Sequence, residues 1–126
     1  MKEFVIMNEK ELKIEIDTTF TGQLLEDPKV LIKKLVELNN LKIQQYMLDN
    51  LNNLDGGPSI SNLDIQNFTY NHSLNSGTFR LKFQIERRYC CSDTESCVND
   101  YLDFHFLIRK DKVSASSEYF DWNLNN

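Results

Sequence analysis

Apolar and polar residues alternate along several stretches of the chain, and a period of two is typical of a strand with one buried face. The clearest run lies between Thr78 and Tyr89, where most odd-numbered positions are apolar and most even-numbered ones are polar. A last strand is predicted from Val113 to Trp122. The alternation predicts inward-facing side chains at Leu12, Ile14, Ile16, Phe79, Leu81, Phe83, Ile85, Tyr89, Leu102, Phe104, Phe106 and Ile108.

The phase of the alternation and the turn-forming residues divide the second half of the chain into strands. The phase reverses between Leu63-Asp64-Ile65 and Phe68-Thr69-Tyr70, which predicts a β-bulge near Gln66-Asn67. Turns are predicted at Asn75-Ser76-Gly77 and at Lys110-Asp111-Lys112, because such residues favour turn conformations. These connections are short, so consecutive strands are expected to be antiparallel.

A helical pattern occupies the segment between Asp27 and Asp55. Asp27-Pro28 is typical of a helix N-cap followed by proline at the first helical position. Asn39-Asn40 interrupts the apolar spacing, so the segment is either two helices or one bent helix. Asp55-Gly56-Gly57-Pro58-Ser59 predicts the turn that follows. The apolar stripe at helical spacing comprises Leu31, Leu35, Leu38, Ile43, Met47, Leu51 and Leu54.

The order of these elements predicts one α+β domain that spans residues 1–126. One or two helices would pack on the apolar face of a curved, four- to five-stranded antiparallel meander. The chain has 126 residues, 40% of them hydrophobic, which is the usual size of one globular domain. In element order this roll resembles the cystatin-like and NTF2-like folds, which support many unrelated functions.

The net charge of −5 argues against two classes of partner. Nucleic-acid-binding proteins and proteins held on anionic lipid usually present a strongly basic surface. The N-terminus lacks the apolar stretch of a secretory signal, and no apolar run is long enough to cross a membrane. Three cysteines, an odd number, suit a reducing compartment. We therefore expect a cytoplasmic protein that binds neither nucleic acid nor membrane.

The segment from Cys90 to Cys97 is the most unusual in the chain, because it holds all three cysteines. Zinc would need His72 or His105 as a fourth ligand, and adjacent Cys90 and Cys91 point to opposite faces of a continuing strand. Calcium is disfavoured because the loop has no glycine at the sixth position of an EF-hand loop. We expect no metal or other cofactor, and a disulfide from Cys90 or Cys91 to Cys97 remains open.

Candidate catalytic residues are few. Only His72 and His105 could act as a histidine base, and His105 could lie near Cys90 or Cys91 as a Cys–His pair. An exposed strand histidine is the commoner arrangement. The four glycines match no phosphate-binding motif. The sequence therefore predicts a protein without enzymatic activity.

Acidic and aromatic residues gather in the last third of the chain. Antiparallel pairing of the last two strands would bring Asp100 and Asp103 close to Glu118 and Asp121, with Asp93 and Glu95 in the adjoining loop. Clustered carboxylates repel one another, and a cationic partner would explain why they are tolerated. A merely solvated end of the sheet is the alternative. The predicted partner-binding residues are Asp93, Glu95, Asp100, Tyr101, Asp103, Glu118, Tyr119, Asp121 and Trp122.

Fourteen asparagines and a single alanine indicate an AT-rich gene, which we expect to be bacterial. The chain resembles the immunity proteins of bacterial contact-dependent and other polymorphic toxin systems. It shares with them its size, its acidic charge and this composition, and its acidic segments are 93–95, 100–103 and 118–122. The resemblance includes no motif match, and no binding residue is carried over from it.

The resemblance implies a non-enzymatic cytoplasmic protein, monomeric or weakly dimeric, that neutralises a cognate toxin. That toxin is expected to be a basic nuclease, since secreted nucleases are typically basic and their inhibitors acidic. The alternative is a cystatin-like or NTF2-like protein with a small-ligand pocket, or an isomerase-type enzyme. An enzyme of that type usually needs an Asp or His in the pocket, whereas the predicted inward positions are apolar.

Overall fold

The computed structural model describes residues 11–17, 27–89 and 94–119. Within them lie two helices and five strands. In chain order the elements are β1 (Glu11–Asp17), α1 (Pro28–Leu38), α2 (Asn40–Asn50), β2 (Ser59–Asn71), β3 (Ser76–Tyr89), β4 (Thr94–Ile108) and β5 (Lys112–Glu118).

Two helices, separated at Asn39, occupy the predicted helical segment. The Asp27 carboxylate accepts a hydrogen bond from the Lys29 backbone N–H at 2.9 Å, and proline stands in the first turn, as expected. The predicted stripe was wrong at two positions, because Leu38 and Leu54 are 74% and 61% exposed. Leu38 is the last residue of α1, where the chain changes direction, and Leu54 lies beyond the end of α2.

All five strands form one antiparallel sheet in the order β1-β5-β4-β3-β2. The predicted α+β fold, helices on an antiparallel meander, is confirmed, and the sheet is open. Both helices contact β1 and β2, the two edge strands, so they lie across one face of the sheet. Because β1 pairs with β5, the first and last described strands are neighbours.

The core lies between the helices and this face of the sheet. Phe79, Phe83 and Phe104 are almost completely buried there, and the Phe79 and Phe104 rings stack with centroids 4.9 Å apart. The predicted inward positions of β3 and β4 are confirmed at every residue whose burial is described, although Ile108 is only half-buried. The side chain of Tyr89 lies outside the described residues.

Strand β2 carries two irregularities in its pairing with β3. The bulge predicted near Gln66-Asn67 is confirmed, because the register shifts between Gln66 and Thr69 and Asn67 adopts a φ of 54°. A second shift lies between Ser61 and Asp64, where Asn62 has a φ of 56°. The sequence analysis missed it. Asparagine tolerates this left-handed conformation better than most residues.

The hairpin turn between β2 and β3 lies earlier than predicted, at residues 72–75. Gly77 already belongs to β3, opposite Tyr70 and beside Phe106. A Cβ atom at Gly77 would overlap the Thr69 carbonyl oxygen and come within 2.7 Å of the Phe106 ring. This glycine therefore serves close packing on the sheet rather than the turn.

The remaining predicted connections fit the structure. The chain turns between Asp55 and Gly57, where Gly56 and Gly57 have φ values of 79° and 53°, and again between β4 and β5 at Arg109–Asp111. Strand β5 ends at Glu118, short of the predicted Trp122, and residues 120–126 lie outside the described part.

Candidate interaction surface on the open face of the sheet

The face of the sheet opposite the two described helices holds most of the charged and polar side chains of the strands. Alternation places the even-numbered residues of β3 on this outer face, and their partners on β4 are odd-numbered, as in the pairs Arg80↔Asp103 and Lys82↔Tyr101. The outer face of β1 carries Glu11, Lys13 and Glu15. A partner would therefore meet a surface of charge and hydrogen-bonding groups.

Arg80, Tyr101 and Asp103 form a compact group on this face. Arg80 Nε and one terminal nitrogen donate to the two oxygens of Asp103 at 2.8 and 3.1 Å, which is a two-point ion pair. The guanidinium carbon lies 3.8 Å from the centre of the Tyr101 ring. The hydrogen bond with Asp103 raises the pKa of Arg80 above its ordinary value. Arg80 of β3 and Asp103 of β4 thus form a cross-strand ion pair.

Three carboxylates meet at one end of the outer face, around an open depression of about 370 Å³. Glu11 of β1 lies directly opposite Glu118 of β5, and the pair Phe104↔Ser117 brings Asp103 of β4 next to them. We call this site the acidic depression. It is lined by Glu11, Tyr101, Asp103, His105, Ser116, Ser117 and Glu118.

The structure therefore brings Tyr101, Asp103 and Glu118 together, as the sequence analysis expected. Glu11 joins them, although its own segment gave no reason to include it. Glu11 lies near Glu118 because β1 pairs with β5, and the order of the elements along the chain does not predict that pairing. Alternation within β1 does predict that Glu11 lies on the polar face.

Asp100 and Tyr119 lie elsewhere, which corrects the expected gathering of carboxylates. Asp100 is opposite Phe83, an inward residue, and is three positions from Asp103, so the two carboxylates face opposite sides of the sheet. The Tyr119 hydroxyl donates to Asp100 Oδ2 at 2.6 Å, and the Tyr119 backbone N–H donates to the Tyr46 hydroxyl at 3.0 Å. These contacts fasten the end of β5 to β4 and α2.

Four of the predicted partner-binding residues are not described in full. Asp93, Asp121 and Trp122 lie outside the described residues, as do Cys90 and Cys91. Glu95 lies at the start of β4, where its backbone pairs with Arg88, and not in the predicted loop; its side chain is not described. Their role in partner binding stays a prediction.

The groups considered for metal binding and catalysis are dispersed where they are described. Across residues 11–17, 27–89 and 94–119, no three His, Cys, Asp or Glu side chains gather as metal ligands would. His105 is exposed on the outer face, His72 packs edge-on against Tyr70, and Cys97 is an exposed thiol. The predicted absence of metal still requires elemental analysis.

Apolar side chains fill the space between the helices and the sheet. The depressions formed by the described residues open at the surface, and the largest near β1, about 770 Å³, lies between β1 and α2. A second, of about 580 Å³, is lined by Lys13, Lys42, His105 and Ser116 among others. No inward Asp or His of the described strands projects into the apolar core; Asp100 lies at its margin.

No family model, curated protein or solved structure matches this chain. Neither of the two helices in the described part of the chain has the length and apolar character that crossing a membrane requires.

Proposed function

We propose that this chain is a non-enzymatic immunity protein that binds and neutralises a basic bacterial toxin through the outer face of its sheet. The observation that carries the proposal is the acidic depression, where Glu11 and Glu118 lie opposite each other beside Tyr101 and the ion pair of Asp103 with Arg80. A partner with positive charge would be attracted to such a surface and would dock faster than a neutral one.

The residue types on this surface favour a site that binds a partner over a sheet end that contacts only solvent. Tyrosine and arginine are enriched at binding hot spots, and here the Arg80 guanidinium stacks on Tyr101. The two-point ion pair with Asp103 holds that guanidinium in place, so the Tyr101 ring is presented in one orientation. A fixed aromatic group loses little conformational freedom on binding.

Charge supports the same proposal at the scale of the molecule. The net charge of −5 adds a long-range attraction for a cationic protein to the local field of the depression. Glu11 and Glu118 face each other across β1 and β5, so two like charges are held together at one place on the surface. A cationic partner would relieve that repulsion.

The test is co-expression with the product of the gene directly upstream, in a bacterial host that this product inhibits. The parent chain is expected to restore growth and to co-purify with that product. The variant E11K/E118K should restore growth poorly, because it reverses the field of the depression while keeping a pair of like charges. The control E37K/D55K makes the same change in net charge at exposed positions away from the outer face, so it loses only the long-range attraction and should restore growth much better than E11K/E118K.

Failure of the parent chain to restore growth or to co-purify would contradict the proposed function. Equal protection by the parent and by E11K/E118K would mean that the chain neutralises the toxin but does not bind it through the acidic depression. Both variants are to be checked by circular dichroism, so that loss of protection is not loss of the fold.

A further inference from the structure

One row of residues across the outer face of the sheet carries hydrogen-bond donors in place of carboxylates. Lys13 of β1 lies opposite Ser116 of β5, and Ser116 in turn lies opposite His105 of β4. Residues that lie directly opposite each other on neighbouring strands share one face of a sheet, so the three side chains stand side by side. We call these three residues the donor row.

The donor row forms a cleft. Neighbouring strands are about 4.8 Å apart, so the Lys13 and His105 backbones are about 10 Å apart, with only a small serine between them. The depression of about 580 Å³ lies here, and Lys42 of α2 and Ser114 of β5 also line it. The two longer side chains are thus the walls of the cleft, and serine hydroxyls are its floor.

The nitrogen donors of the cleft lack partners within the described part of the chain. There, Lys13, Lys42 and His105 make no ion pair and no side-chain hydrogen bond. Lysine has three N–H donors and no acceptor, and an imidazole has at least one N–H in either protonation state. Glu15 also lines this depression, but it is ion-paired with Lys112 at 3.4 Å. The cleft therefore offers positive charge and several donors to an anionic group.

The donor row adjoins the acidic depression. Glu11 and Glu118 form the next row of the outer face, two residues further along β1 and β5, which is a distance of about 7 Å. These carboxylates would repel a free anion in the cleft, whereas a partner with a cation beside its anion would complement both rows. The outer face therefore fits a pair of opposite charges better than a uniformly basic surface.

We infer that the partner docks with a carboxylate of its own in the cleft of the donor row and a cationic side chain in the acidic depression, about 7 Å away. The cationic contact rests on the proposed function, whereas the carboxylate contact rests on the unpaired donors of the cleft. Hydrogen bonds from Lys13 and His105 to a carboxylate would be charge-assisted, which are the stronger kind. Two opposite charges at a fixed separation also favour one orientation of the partner over the reverse.

The test is the affinity of the upstream gene product for K13E, with K33E as the matched control. Both variants add the same negative charge, and Lys33 is exposed on α1, away from the outer face. An outer face that received only cations would bind a basic partner more tightly after K13E. We expect the opposite: K13E weakens binding about tenfold or more, and K33E strengthens it slightly or leaves it unchanged. Binding by K13E as tight as that by K33E would overturn the inference.

A second pair of variants covers the case in which K13E does not fold, since it places a third glutamate on the outer face of β1. H105A removes a wall of the cleft without adding charge, and H72A is its control at an exposed position in the turn between β2 and β3. We expect several-fold weaker binding for H105A and parental binding for H72A. Equal binding by the two histidine variants would overturn the contact with the donor row.

A third measurement needs no toxin. Acetate replaces chloride at constant ionic strength in a solution of ¹⁵N-labelled E11Q/E118Q, in which the repelling carboxylates are neutral. We expect saturable NMR shift changes at the amides of Lys13, Ser116 and His105, and their loss in E11Q/E118Q/K13A. The absence of saturable changes in this row would overturn the anion site even for a chain that binds the toxin.

The outcomes separate this inference from the proposed function. Binding that E11K/E118K weakens and K13E does not would leave the proposed function standing and remove only the carboxylate contact. Saturable acetate binding by a chain that does not bind the upstream product would contradict the proposed function and the docking inferred from it. A dimer in sedimentation that K13E dissociates would assign the carboxylates to a second copy of the chain and overturn the inference.

Discussion

Single residues on the inner face of the sheet carry much of the stability. Phe83 has no exposed surface and lies in the middle of β3, between the buried Leu81 and Ile85. Lys82 is the next residue along the strand, and its side chain lies on the outer face, opposite Tyr101. Two adjacent positions therefore differ almost completely in how much apolar contact they make.

We predict that F83A lowers the free energy of unfolding by about 3–5 kcal/mol, because it removes a large buried ring and leaves a cavity. K82A is the matched control and should change stability by less than about 1 kcal/mol, because the half-buried Lys82 side chain lies on the outer face and makes no contact in the apolar core. Denaturant unfolding of both variants tests this. Equal shifts in the two midpoints would mean that the assigned faces of β3 are wrong.

Gly77 illustrates a different requirement at the residue scale, since its lack of a side chain admits the Phe106 ring and the Thr69 carbonyl. We predict that G77A lowers stability by about 1–3 kcal/mol, the usual range for forcing an atom into a packed site. The neighbouring variant S76A should be close to neutral. Thermal unfolding followed by circular dichroism provides the measurement, and an unchanged midpoint for G77A would contradict the packing described.

At the scale of elements, the junction between the two helices is held by one side chain. The Asn39 amide donates to the Leu35 carbonyl at 2.9 Å and to the Glu15 carbonyl at 3.1 Å, so it joins the end of α1 to β1. Backbone carbonyls at a helix end lack partners within the helix, and side chains often supply them. The Asn39 side chain therefore ties the junction of the two helices to β1, in addition to the backbone hydrogen bonds from its N–H to the Leu35 and Val36 carbonyls.

We predict that N39A lowers the free energy of unfolding by about 1–3 kcal/mol, from the loss of two hydrogen bonds. E37A, an exposed substitution in the same helix, is the control and should have little effect. Hydrogen exchange offers a second readout, since the amides of the α1 C-terminal turn should lose protection in N39A alone. Matching stabilities for the two variants would contradict this role of Asn39.

Elements with strong local signals could be predicted from the sequence, and their arrangement could not. The Asp27-Pro28 start, the break at Asn39 and the bulge at Asn67 each depend on nearby residues, and the structure contains all three. The pairing of β1 with β5 depends on contacts about a hundred residues apart, which no local pattern encodes.

The residues of the candidate site likewise fall into those whose position a local pattern predicts and those whose position depends on long-range pairing. The exposed side of Tyr101 and Asp103 followed from alternation along β4. The place of Glu11 depends on the long-range pairing of β1 with β5. Closeness along the chain favours Asp100 beside Asp103, but alternation puts residues three positions apart on opposite faces of the sheet, and the structure follows alternation.

At the scale of the whole molecule, one face of the sheet supports the fold and the other faces outward. The inner face is covered by the helices and filled with apolar side chains, whereas the outer face displays the acidic depression and the group of Arg80, Tyr101 and Asp103. Changes on the outer face should therefore alter binding more than stability, and changes on the inner face should do the reverse.

We also predict that the purified chain contains no stoichiometric zinc or calcium. The cysteines have unsuitable spacing for zinc, and the described residues bring no ligand set together. Elemental analysis of protein purified without chelators is the measurement. About one bound metal per chain, with loss of stability on chelation, would contradict the prediction.

The most direct test of the proposed function is the rate at which the purified chain associates with the upstream gene product, measured by stopped flow over a range of salt concentrations. The parent should associate rapidly at low salt and slow steeply as salt screens the attraction. E37K/D55K, which loses only the long-range part of that attraction, should associate less rapidly than the parent but faster than E11K/E118K, which should associate slowly and depend little on salt. Equal rates and equal salt dependence for the parent and E11K/E118K, both folded, would contradict the claim that the acidic depression receives a cationic partner.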